Sequence, residues 1–125
     1  VPKGFKSGTA RLHIPKEGVV AWISLFVAGL LEVCWAYAMK LSDGFTRPMA
    51  SIITIIAMIA SFSLLAWSMR VLPLGTAYMI WTGIGAVGAF IVGIVALGEA
   101  VTAMRVAAAV LIVSGLVLMK LSSPA

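Results

Sequence analysis

VVAWISLFVAGLLEVCWAYAM, residues 19–39, decides the fold. It contains no proline, no run of turn residues and one charged side chain, Glu32. At about 1.5 Å per residue, a helix of this length crosses the ~30 Å hydrocarbon core of a bilayer. A soluble core helix does not need an apolar run this long, because only one face of it is buried.

Reading outward, three more stretches of the same kind follow, at 48–69, 73–97 and 102–121. The segments between them are short. The first, residues 40–47, holds Asp43-Gly44, a turn dipeptide, and Pro48 behind it suits the first turn of a helix. Arg70 to Pro73 separates the second and third stretches, and Thr102 is a candidate N-cap for the fourth. Connections this short make consecutive helices antiparallel. The expected fold is an all-α integral membrane domain over residues 19–125, with four transmembrane helices per subunit.

Composition agrees. Of the 125 residues, 62% are apolar and 10% charged, against about 45–50% and 25% in soluble domains. One cysteine, Cys34, allows no internal disulfide, and His13 is the single histidine, so neither a zinc cluster nor a His-based nucleophilic site can be built. No phosphate-binding loop is present, and neither a metal nor a cofactor is called for. The net charge of +5 does not point to nucleic acid. Four of the nine basic residues (Lys3, Lys6, Arg11 and Lys16) lie in the N-terminal stretch, and the rest flank apolar runs, as membrane anchors do.

Residues 1–18 differ in kind. They lack apolar periodicity and read as a disordered tail. The stretch Lys16-Glu17-Gly18 can be encoded as a bacterial ribosome-binding sequence and Val20 as a GTG start, so the tail reads as a translated leader. Without it, Arg70 and Lys120 on one membrane face oppose Lys40, Arg47 and Arg105 on the other. Two against three is almost no bias under the positive-inside rule, and such a chain can insert in both orientations. With the tail counted, six against three favours a cytoplasmic N-terminus.

Glu32 is the residue on which function turns. A carboxylate deep in a bilayer costs on the order of 2.5–3.5 kcal/mol even on the lenient insertion scale. An ionised carboxylate binds a cation and a protonated one does not, so protons and a cation compete for it. The third stretch adds a constellation: Tyr78, Trp81, Gly85 and Gly88 follow i, i+3, i+7, i+10 spacing and share a helix face. Gly83-x-Gly85 weakens the helix and is a candidate hinge. Trp35 lies one turn from Glu32, and Ser61 offers a hydroxyl to a carboxylate. Trp22 and Trp67, near span ends, read as interfacial belt residues.

Depth arithmetic relates these groups. Counted from the N-terminal face, Glu32 lies at ~20 Å, Trp81 at ~12 Å, Ser61 at ~10 Å and Tyr78 at ~8 Å in a ~30 Å slab. An inverted second copy brings its Trp81, Ser61 and Tyr78 to ~18, ~20 and ~22 Å, level with Glu32. The expectation is therefore an antiparallel, dual-topology homodimer with one shared cavity, which is the inverted-repeat logic of transporters achieved with two copies. Small residues in the fourth stretch assign it to dimer packing.

From about Val20 onward the chain resembles the small multidrug resistance transporters. The resemblance rests on Glu32, on Lys40-x-Ser42-x-Gly44-Phe45-Thr46, and on Gly75-x-Ala77-Tyr78-x-Ile80-Trp81-x-Gly83-x-Gly85. It covers the whole membrane portion and implies antiparallel homodimers that exchange protons for cations. Glu32-Val-x-Trp35-Ala36, with Gly29 before it, looks like the guanidinium-exporter subtype. Exporters of polyaromatic cations usually carry a small residue where Trp35 stands. The resemblance implies that Glu32 binds guanidinium and protons, with Gly29, Trp35, Ser61, Tyr78 and Trp81 lining or orienting the site and a Ser61–Glu32 hydrogen bond holding the carboxylate.

The expected function is thus a proton-coupled antiporter in the inner membrane of a bacterium, exporting guanidinium and small guanidinyl cations with no covalent chemistry on the substrate. The closest alternative is an exporter of quaternary ammonium or polyaromatic cations. Two readings from other classes are a rotary ATPase ring subunit, which also buries one carboxylate, and a non-transporting membrane partner. Neither needs the pairing of Tyr78 with Trp81.

Overall fold

A computed structural model describes residues 16–123. The chain forms four helices and no other regular element among the described residues: α1 (Lys16–Leu41), α2 (Pro48–Ser68), α3 (Leu74–Leu97) and α4 (Ala103–Leu121). All four are long and apolar enough to cross a membrane. The four-helix, all-α expectation is met.

Local chemistry sets the ends. Pro48 opens α2 behind an extended Arg47, and Thr102 caps α4 by accepting the Arg105 N–H at 3.1 Å. Gly98 closes α3 in the left-handed conformation at φ 69°. Two boundaries move inward from expectation, since Pro73 and Thr102 are N-caps rather than helical residues. The expected tail over residues 1–18 needs correction at its end. Residues 16–18 belong to α1, where Glu17 in the first turn complements the helix dipole. Residues 1–15 lie outside the described residues. At the other end α1 runs on through Lys40, whose charge suits a last turn.

The α1–α2 connection is wound tightly. Asp43, Gly44 and Phe45 all have positive φ (51°, 71° and 66°). Fully buried Ser42 holds them: its hydroxyl donates to the Met39 carbonyl at 2.7 Å and accepts the Phe45 N–H at 3.0 Å. Its carbonyl accepts from the backbone N–H of Thr46 and of Arg47.

Two seams organise the bundle. Along α1–α2, Ser68 donates to the Ala21 carbonyl at 3.1 Å, Ser24 to Leu64 at 3.2 Å and Ser61 to Ala28 at 2.6 Å. Falling numbers on one helix meet rising numbers on the other, so the pair is antiparallel. Each hydroxyl is satisfied by a neighbour's backbone, as a polar group in hydrocarbon requires. Along α1–α3, Gly29 faces Ile84, Gly85 faces Glu32 and Gly88 faces Val33. The numbers rise together, so these helices are parallel and approach through missing side chains. Leu116 seats α4 against Gly83 of α3, yet no residue of α4 is buried.

Candidate functional site

Glu32 sits at the middle of the α1–α3 seam. A Cβ built on Gly85 would collide with its Cδ, Cγ and Oε1, so the carboxyl group occupies the space where α3 lacks a side chain. Gly85 is itself buried. Oε1 is buried and has no hydrogen-bond partner among the described residues, and the same holds for the indole Nε1 of Trp35. An acceptor and a donor one turn apart are therefore both unsatisfied. Buried groups of this kind are satisfied by water, a ligand or a partner subunit.

One turn below, a second polar cluster is complete. The Trp81 Nε1–H donates to Ser61 Oγ at 3.0 Å, and that hydroxyl donates to the Ala28 carbonyl at 2.6 Å. Ser61 is fully buried and Trp81 is 7% exposed. The expected Ser61–Glu32 hydrogen bond is therefore absent within the chain. A hydroxyl has a single proton, and Ala28 takes it.

An aromatic row links the two levels. Trp35 meets Phe62 edge-on with ring centroids 6.1 Å apart, Phe62 meets Trp81 at 5.7 Å, and Trp81 meets Tyr78 at 5.6 Å. Trp35, Ser61, Tyr78 and Trp81 thus converge. Phe62, which joins them, was missed. In sequence it is one more aromatic residue in an apolar stretch, with nothing to distinguish it from a lipid-facing ring; its position beside Ser61 was the available signal. Tyr78 is 52% exposed, so its ring ends the row on an open face. Beside it a cavity of about 380 Å³ opens between α3 and α4, and Met79, Thr82 and Leu116 also line it. Glu32 and Trp35 do not.

Gly83 and Gly85 lie inside an unbroken helix, and they face opposite neighbours, Leu116 of α4 and Glu32 of α1. Both are seats for side chains. Gly29 lets α1 approach α3, since a Cβ there would lie 2.6 Å from Ile84 Cγ2. At the span ends, Trp22 carries the Lys120 ammonium 4.6 Å from its ring centroid, and Arg105 lies 5.5 Å from that of Phe90.

The family described as Small Multidrug Resistance protein matches residues 20–112, which includes α2, α3 and nearly all of α1. The chain belongs to the small multidrug resistance family. This small multidrug resistance protein is 57% identical over 104 residues to the guanidinium exporter of Escherichia coli (strain K12), an alignment covering 83% of the chain and 99% of the relative. The guanidinium exporters of Citrobacter freundii and Salmonella typhimurium are 56% identical over the same coverage. It is accordingly a multi-pass membrane protein.

Proposed function

We propose that this protein exports guanidinium and small guanidinyl cations across a bacterial inner membrane in exchange for protons, with Glu32 holding each in turn. The observation that carries the reading is the Glu32 carboxyl. No other charged residue stands in the middle of a span, and one of its oxygens is buried without a donor. Guanidinium supplies what such a group lacks: a planar fork of N–H donors and a positive charge. Its flat face suits stacking on the nearby rings. The names of the relatives favour guanidinium over bulkier cations.

The working unit is an antiparallel, dual-topology homodimer. Supporting this, no residue of α4 is buried within its own subunit, Tyr78 ends the aromatic row on an open face, and the basic residues beyond the N-terminal stretch are nearly balanced between the two faces. In the dimer each Glu32 lies level with the partner's ring cluster, and the two carboxyls share one cavity.

Titrating guanidinium binding at several pH values tests the reading. Binding is expected to release protons and to weaken as the medium is acidified. Guanidinium that binds without regard to pH would overturn it. Proton movement driven by a bulky aromatic cation but not by guanidinium would replace it with the broader exporter.

A further inference from the structure

The Gly85 seat allows one step beyond shared occupancy of Glu32, and it rests on that reading. On its α3 side the carboxyl fills a gap too small for even one methyl group beside it. A guanidinium, with four heavy atoms, cannot enter there. A cation must meet the carboxyl from outside that notch, and Trp35, one turn from Glu32 on α1, opens the row Phe62–Trp81–Tyr78. At Oε1 the notch is closed to solvent and offers no donor among the described residues, since Gly85 contributes only backbone. An ion is poorly held without hydrogen bonds or a counter-charge, whereas a neutral acid is tolerated.

No charged group intervenes from any packed element. The centres of α2, α3 and α4 contain no Asp, Glu, Lys or Arg, and the titratable group on α3 nearest the carboxyl is Tyr78. Lys40 and Glu99 line a separate cavity of about 210 Å³ with Tyr37 and Gly93, two turns nearer the membrane face.

We infer that Gly85 is a positioning residue that provides the Glu32 carboxyl with a proton-carrying rest station against α3, which the side chain leaves to hold a cation among the aromatic rings. The proton and the substrate then compete for one group in two places. Loading a cation lifts the carboxyl off α3 and frees the α1–α3 seam, while protonation lets it settle back.

The test is guanidinium binding as a function of pH in the full-length protein, comparing wild type with Gly85→Ala, Gly88→Ala and Glu32→Gln. A methyl at position 85 fills the station, so protons lose their favoured site while the cation side stays open. The midpoint of the pH profile is expected to move about one unit towards acid, a tenfold loss in proton affinity, with guanidinium still bound at neutral pH. Gly88→Ala, which crowds Val33, should weaken the fold without moving the midpoint. An unmoved midpoint in Gly85→Ala, an alkaline shift, or equal shifts in both alanine variants would overturn the inference. Glu32→Gln tests the underlying reading separately: if it binds guanidinium with the wild-type pH profile, the shared-site reading itself falls.

Should Gly85→Ala fail to fold, infrared difference spectra of the wild type between high and low pH read the acid directly. A Glu32 carbonyl stretch at the high-frequency position of an acid with no hydrogen bond supports the dry station. A stretch in the hydrogen-bonded range rejects it.

Discussion

The two faces of α1 are held in opposite ways. Towards α2, three hydroxyl-to-carbonyl bonds at Ser24, Ser61 and Ser68 lock the helices at three levels. Towards α3 there is no side-chain hydrogen bond among the described residues. Gly29, Gly85 and Gly88 instead give smooth contact, with an unsatisfied carboxyl in the middle. Directional bonds fix a geometry, whereas glycine contacts rest on close packing without a directional bond. Helix α1 is therefore fixed firmly by bonds on one side and packed closely on the other, and Glu32 lies on the packed side.

The most severe way to break this contrast is Glu32→Gln. It keeps the packing on Gly85 and removes the charge, and proton-coupled guanidinium transport in proteoliposomes is expected to vanish. Next is the pH dependence of wild-type affinity. On the proposed reading only the ionised carboxylate binds a cation, so the apparent dissociation constant should rise as pH falls, approaching about tenfold per unit once the proton predominates; calorimetric titration at stepped pH measures it.

Ser61→Ala attacks the firm side where it meets the site. It leaves the buried Trp81 N–H without its acceptor, an expected cost of about 1–3 kcal/mol, seen as a lowered midpoint in denaturation of the detergent-solubilised protein. Ser24→Ala removes one bond from the same seam and should cost about 0.6 kcal/mol, the average for hydrogen bonds inside a membrane. Smallest of all is Arg105→Ala. Its pairing with Glu99 spans 3.9 Å between side chains that are 46% and 42% exposed, and such pairs contribute about 0–1 kcal/mol. Transport at saturating guanidinium should stay at the wild-type level.

Much of this was legible in the sequence because lipid imposes strict rules. Four runs of about twenty apolar residues leave little freedom in element type, and Pro48 and Thr102 marked helix starts by chemistry that does not depend on tertiary context. Glu32 stood out because a charge in hydrocarbon needs a reason. What could not be read was which way each small or polar residue faces. Ser61 pairs with Ala28 and Trp81, a choice set by helix rotation to which an apolar pattern all round the helix is blind. At Gly83 and Gly85, sequence shows the missing side chain but not the neighbour that fills its place.

Unequal lengths among the helices have a further consequence. With 26 residues α1 is about 39 Å long, while α4 with 19 is about 28 Å, in a core of ~30 Å. The shorter helix matches the slab nearly upright, and the longer carries an apolar run of 21 residues, about 32 Å, with its charged ends at Lys16, Glu17 and Lys40 beyond it. Because α2 is bonded to α1, any change in lean carries both. Acyl-chain length thus becomes a mechanical input: a membrane thinner than that run lays the first hairpin over, and the surrounding lipid then helps to set the angle at which the chain presents its acid.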